Sequence, residues 1–281
     1  MIWRIAMLIN YGSLMYVAYI AAVLFASFLI YQLIKKCPKG MQHFVIFLIS
    51  IVNLLQHLFK GVIYPQYQAG YSLHLSTAYN FCALLIILTP IIYLFKNNYL
   101  RCFISFAGMM ASALSIAFPY WFIGQSAFTW EVYRFYICHG LLFLTSSLPL
   151  FLGLTKYKFK YFWSMGLMFF LSLGLIVANN VIFLKAGWFT ESPSTPIFEF
   201  LSAYNPVWLM HPPVGFDWLI TIFNFVTPAY FLGANPWNLC IPVLWYAIPA
   251  YILITVTYIL IYFGAKLFHI FRNYLIDSHV R

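Results

Sequence analysis

Seven long apolar runs, each bounded by charged or turn-forming residues, divide the chain at 12–33, 41–59, 72–94, 102–118, 132–152, 161–184 and 241–263. A helix that crosses a bilayer needs about 20 mostly apolar residues. The pattern therefore predicts an all-α, polytopic membrane protein with seven transmembrane helices. A further stretch, 216–232, is shorter and contains Asp217, Asn224 and Pro228. Its length and polar content predict a re-entrant or interfacial segment before the last helix, not an eighth span. Neither an internal repeat nor a domain linker interrupts the pattern. We expect one bundle over 1–281, with a long outer loop at 185–240.

Composition excludes the alternatives. With 64% hydrophobic, 22% aromatic and 7% charged residues, the chain lacks the polar surface that a soluble domain of this size requires. The abundance of Phe and Tyr excludes a disordered chain, and five scattered cysteines do not make a disulfide scaffold. The net charge of +10 does not point to nucleic acid, because the basic residues sit in short clusters between apolar runs. It points to topology. Lys35, Lys36, Lys39, Lys96, Arg101, Lys156, Lys158, Lys160, Lys266, Arg272 and Arg281 fall on one set of alternate connections. Arg4, Lys60, Arg134 and Lys185 fall on the other, with Glu131, Glu191, Glu199 and Asp217. Basic loops are retained in the cytoplasm, so the expected arrangement is a cell-membrane protein with its N-terminus outside and its C-terminus cytoplasmic. With only Arg4 before the first run, that run reads as a span and not as a cleaved signal peptide.

Polar side chains on membrane helices are costly unless they face the bundle interior. On the second run His43, Ser50, Asn53, His57 and Lys60 share one narrow helical face. On the third, His74, Ser76, Thr77 and Asn80 share a broader arc, with His74 near the outer end. On the fifth, Tyr136, His139 and Ser146 align, with Glu131 and Arg134 at the outer mouth, and Asn179 and Asn180 end the sixth. The alternating orientation sends His57, His74, His139, Asn179 and Asn180 to the outer half. An outward-facing polar cavity follows as the expectation, with His74 and His139 as its catalytic candidates. Its expected substrate-binding residues are His57, Asn53, Thr77, Asn80, Tyr136, Asn179 and Asn180. Thr77 and Ser146 also suit backbone-bonded hydroxyls. Tyr251, Thr255, Tyr258 and Tyr262, at helical spacing on the last run, read as packing or interface anchors.

Metal and nucleophile motifs give little support to other chemistries. Cys37, Cys82, Cys102, Cys138 and Cys240 are too far apart in sequence for a zinc-type pair, and the histidines lack a His-x-x-x-His spacing. No metal and no cofactor is expected. Phosphate-loop, dinucleotide and nucleophile-elbow fingerprints are missing as well.

The segments Tyr71-Ser72-Leu73-His74-Leu75 and Phe135-Tyr136-Ile137-Cys138-His139-Gly140-Leu141-Leu142 resemble those of the YwaF family of bacterial integral membrane proteins. Those proteins carry a similar Leu-His-Leu at the start of one span and His-Gly-Leu-Leu within another. The resemblance extends to 53–59 and to Asn179 and Asn180, and spans roughly residues 12–184. It implies a seven-helix bundle with both motif histidines facing inward. Animal relatives resemble lysophospholipid acyltransferases that work through an acyl-cysteine beside the first-motif histidine. In this chain Ser72 and Leu73 precede His74, and Cys82, Ser72 and Thr77 are the nearby alternatives. The stretch between 187 and 240 is longer than the resemblance implies.

Together these features lead us to expect a membrane-embedded lipid-modifying enzyme with membrane lipids as its partners. The reaction would be acyl transfer or lipid ester hydrolysis, with His139 as base and His74 polarising the carbonyl, or the two in exchanged roles, and Asn80 or Asn179 donating to the oxyanion. The alternative is a transporter or ligand-binding sensor that uses the same cavity without chemistry, suggested by the long polar stripe on the second run.

Overall fold

The computed structural model describes residues 8–63, 73–95, 97–189, 192–204, 251–264 and 266–267. Among them every regular element is a helix, joined by turns and by one isolated bridge between Leu8 and Ser126. In chain order these are α1 (Leu14–Ile34), α2 (Lys39–Leu58), the short α3 (Lys60–Ile63), α4 (Phe81–Leu94), α5 (Asn98–Ala117), α6 (Trp130–Phe151), α7 (Phe162–Lys185), α8 (Ile197–Tyr204) and α9 (Tyr251–Gly264). Single 3-10 turns occupy Leu73–Ser76, Tyr120–Phe122 and Phe159–Tyr161.

Local chemistry sets the helix ends. Ser13, Asn80, Asn97 and Thr129 cap α1, α4, α5 and α6, their side-chain oxygens accepting from backbone N–H groups of the first turn. Such caps satisfy donors that the helix itself leaves open. Gly153, at φ 69°, takes the left-handed conformation just beyond α6 that favours glycine.

Four segments are long and apolar enough to cross a membrane: Leu14–Ile34, Lys39–Leu58, Asn98–Phe122 and Phe159–Lys185. The surfaces of the first two are inverted relative to those of a soluble protein. On α2 the buried residues are Gln42, Ile46, Ser50, Asn53 and His57, while Met41, Phe44, Leu48, Val52, Leu55 and Leu58 are exposed. On α1 only Ile34 is buried, and Leu14, Val17, Leu24, Phe25, Phe28 and Leu33 face outward. An apolar exterior of this kind is compatible with a membrane surrounding.

The third run differs from its sequence expectation. It is a regular α-helix only over the 14 residues of α4, preceded by the Leu73–Ser76 turn and an irregular approach. Fourteen residues rise about 21 Å, short of a hydrocarbon core of about 30 Å. The cause is local competition: Thr77 donates its hydroxyl to the His74 carbonyl (2.6 Å), Ser76 donates to Leu58 O (2.8 Å), and Asn80 Oδ1 accepts from Ala83 N (2.9 Å). These side chains occupy groups that a continuing helix would need. α6 has the length, at 22 residues, but its Glu131, Arg134, His139 and hydroxyl residues leave it less apolar than the four. The 216–232 segment and residues 241–250 of the last run lie outside the described residues, as do Ser72, Lys96, Glu191, Cys240, His269 and His279.

The chain divides into two compact units, one formed by Met1–Lys156 with Ile182–Pro193, the other by Tyr157–Val181 with Ser194–Arg281. Within the first unit the helices alternate in direction. One end collects Ile9, Ile116, Ala127, Val132, Phe135 and Tyr136 in a core, with Tyr16 OH donating to Ala117 O and Tyr19 OH to Ala127 O. The opposite end packs Ile34, Ile46, Leu144 and Leu148, where Gln42 Nε2 donates to Ile34 O and Arg101 to Tyr93 O. The basic residues Lys35, Lys36, Lys39 and Arg101 belong to this second end.

In the second unit, Tyr258 is fully buried and its hydroxyl binds both the carbonyl and the amide of Lys158, at 2.9 and 3.1 Å. Gly166 lets α7 pass close to Tyr251 and Thr255 of α9; a Cβ there would sit 2.6 Å from the Tyr251 ring. Tyr251 and Tyr258 are thus packing residues, in agreement with their spacing.

Candidate functional site

The site grows from the contact between α2 and α6, which run antiparallel. Asn53 Nδ2 donates to the Cys138 carbonyl at 3.2 Å, and Asn53 Oδ1 accepts from Gln56 Nε2 at 2.7 Å. Both ends of this buried amide are engaged, so Asn53 sets the register of two helices. One turn further toward the Ile9 end, that register brings His57 on α2 level with Arg134 on α6. The charge of Arg134 reaches His57, Lys60 and His139.

Beyond α2 the chain turns at Phe59 into α3, and Lys60 points inward, 1% exposed. Its ammonium lies 4.9 Å from the centre of the Tyr79 ring. Two imidazoles meet the same ring: His57 lies parallel to it at 6.4 Å and 6°, and His74 meets it edge-on at 6.1 Å and 89°. Tyr79 thus gathers His57, Lys60 and His74. His74 is itself buried and stacks on Phe189, centroids 3.9 Å apart.

The backbone orients the histidines. His57 Nε2 lies 3.1 Å from the Thr77 carbonyl. A carbonyl only accepts, so the neutral ring carries its proton on Nε2 and presents Nδ1 as a lone pair. His139 makes the equivalent contact through Nδ1 to Phe135 O at 2.8 Å, with its ring tilted against Phe135 at 4.3 Å. It therefore folds back along α6. No hydrogen bond or ring contact joins His139 to His57 or His74 among the described residues.

The sequence-selected residues thus separate into groups. His57, His74 and Thr77 come together, and Asn53 fixes the helices beneath them. Asn80 is the cap of α4, its oxygen held by Ala83 N. Tyr136 is buried against Tyr19, the rings stacked 4.3 Å apart, in the core of the Ile9 end. Ser146 faces Gly108 across the α5–α6 contact, and its hydroxyl has no hydrogen-bond partner among the described residues, unlike the backbone-bonded hydroxyl expected there. Asn179 and Asn180 belong to the second unit, where Asn180 is buried and donates to Ile176 O at 2.8 Å. His43 sits beside Tyr93 at the opposite end of α2. Tyr79 and Phe189 escaped the sequence reading. A straight helix through 72–94 would have turned Tyr79 away from His74, whereas the irregular approach brings them together. Lys60 was on the predicted stripe, three residues past His57.

Among the described residues, no three His, Cys, Asp or Glu side chains converge as metal ligands would. What the arrangement offers is a neutral imidazole lone pair, a second imidazole, a buried cation and an aromatic platform. Compared with known protein families, characterised proteins and solved structures, the chain matches none.

Proposed function

We propose that this chain is a lipid-modifying enzyme of the cell membrane, transferring or hydrolysing acyl esters in the outer leaflet. The observation that carries the reading is the gathering of His57, His74 and Lys60 around Tyr79 inside a unit whose exterior is apolar. A substrate with a polar head and acyl tails suits both surfaces. The membrane arrangement that goes with it has seven spans. The 73–80 approach completes the short α4, α6 and the 241–263 run make up the number, and the N-terminus is outside with the C-terminus cytoplasmic. The eleven basic residues on alternate connections support that orientation, and the resemblance to YwaF-type proteins supports lipid chemistry.

In this mechanism His57 takes the place first given to His139, because it meets the Tyr79 ring that His74 and Lys60 also meet; with its proton held by Thr77 O, its Nδ1 can act as base. Nδ1 takes the proton of an acceptor hydroxyl, whose oxygen attacks the ester carbonyl. His74 orients that carbonyl, and the departing alkoxide recovers the proton from the His57 imidazolium. His139, on the same helix as Arg134, remains a supporting candidate.

The test is turnover of purified protein with a lysophospholipid and a labelled acyl donor. His57→Ala and His74→Ala are each expected to lower the rate by roughly 100-fold or more, the usual scale for a general base. Rates equal to wild type in both variants would remove the site. The buried polar residues of α2, Gln42 at one end and Ser50, Asn53 and His57 toward the other, favour a second reading as a transporter. Proton-coupled uptake into liposomes that is lost in His57→Leu, with no lipid turnover in wild type, would select it.

A further inference from the structure

The connection that leads into α7 alternates basic and aromatic residues, Lys158-Phe159-Lys160-Tyr161-Phe162. It belongs to the second unit, and the site around Tyr79 uses none of it. A surface connection has few backbone bonds of its own to hold it in place. This one is held from outside. The Tyr258 hydroxyl of α9 donates to the Lys158 carbonyl at 2.9 Å and accepts from the Lys158 amide at 3.1 Å, so both backbone groups of one residue are fixed by one side chain. Tyr258 is itself fully buried, and its ring lies against Tyr157 with centroids 5.4 Å apart.

What the clamp presents is an aromatic cluster edged by ammonium groups. Phe159 meets Phe162 at 5.1 Å, Tyr262 at 5.9 Å and Phe263 at 6.1 Å. Even so, Phe159 stays 47% and Phe263 46% exposed. Lys158 and Lys160 flank Phe159 in the chain and are both exposed, as is Lys266. Lys266 follows Phe263 by three residues and Tyr262 by four, the spacing that puts side chains on one helical face. None of these three lysines forms an ion pair among the described residues.

Retention of a basic loop on one side of a membrane needs only its charge. It does not account for a buried tyrosine that immobilises the loop, or for open phenylalanine rings set among the lysines. We propose that this face docks on anionic phospholipid headgroups of the leaflet around it, the ammonium groups of Lys158, Lys160 and Lys266 against phosphates and the Phe159 ring at the boundary with the acyl chains. A bilayer supplies both complements at adjacent depths, negative charge outside and methylenes beneath. An acidic protein would match the lysines and leave the rings without an apolar partner. The inference goes beyond the proposed reaction, and rests only on the chain lying in a membrane.

The experiment places the full chain, carrying Phe159→p-benzoylphenylalanine, in bilayer discs of equal parts phosphatidylglycerol and phosphatidylcholine with the same acyl chains. Irradiation then couples position 159 to its neighbours, and mass spectrometry identifies them. Phosphatidylglycerol adducts are expected to exceed phosphatidylcholine adducts by about fivefold or more, the effect of a single lysine near an anionic surface. The surplus should fall toward parity in about 0.5 M salt, where exposed charges are screened, and in a chain that also carries Lys158→Gln, Lys160→Gln and Lys266→Gln. Equal adducts of the two lipids with all three lysines present would overturn the proposal, and that comparison needs no lysine variant to fold. Irradiation of whole cells that yields a protein adduct in place of a lipid one would also overturn it, and would assign the face to a protein partner. Neither readout involves turnover, so a failure of the enzyme reading and a failure of this one are told apart.

Discussion

At the scale of single residues, the site is organised by groups that would be unremarkable elsewhere. Tyr79 carries no reaction, yet its ring is the surface on which two imidazoles and an ammonium meet. Lys60 shows most directly how burial changes chemistry. Facing it are His57 from α2, Arg134 and Cys138 from α6, and the Tyr79 ring. In the folded chain its ammonium titrates at about 7, against an ordinary 10.5. Between those values the unfolded chain holds more protons than the folded one, so stability rises with pH across the window. The slope from this group is at most about 1.4 kcal/mol per pH unit. Thermal unfolding in detergent is expected to move to higher temperature from pH 7 to pH 9 in wild type. The same rise should be smaller in Lys60→Met, and equal slopes in the two proteins would contradict the assignment.

Among the elements, α2 and the 73–80 approach are the informative pair. α2 presents apolar side chains outward and polar ones inward, which makes it the wall of a polar interior. The approach is irregular because Ser76, Thr77 and Asn80 bind backbone groups, and that irregularity delivers His74 and Tyr79 to α2. The packing of α5 on α6 depends on a different feature. At Gly108 an added Cβ would overlap the Ser146 hydroxyl and come within 2.9 Å of the Ser146 Cβ. Gly108→Ala is therefore expected to destabilise the protein by about 1–3 kcal/mol, as overpacking does. Adding Ser146→Gly to the same chain should recover most of the loss. A Gly108→Ala protein with unchanged unfolding temperature would show that the two helices can separate at little cost.

For the molecule as a whole, the alternation of helix ends within the first unit agrees with the alternation of basic residues along the chain. Cys37 lies in the connection between α1 and α2, beside Lys35 and Lys36, and is partly exposed, whereas Cys102 and Cys138 are buried. With an outside N-terminus this connection is cytoplasmic. A membrane-impermeant maleimide should therefore leave the Cys37 peptide unmodified in intact cells and modify it once the membrane is opened. Labelling of that peptide in intact cells would reverse the orientation.

The sequence alone determined the all-α class with helices long and apolar enough to cross a membrane, the inward face of α2 and the end of the bundle to which His57 belongs. Each of these depends on periodicity or on the count of apolar and charged residues, which the chain carries locally. Which polar residues meet was decided only by tertiary structure. The 3.6-residue period holds only while a segment is helical, and it fails at 73–80, where hydroxyl and amide side chains take backbone partners. His139 was read as facing the cavity, and the structure adds that its Nδ1 is held by Phe135 O one turn back along its own helix. Tyr79 had no signal of its own, because its role comes from three elements converging on one ring.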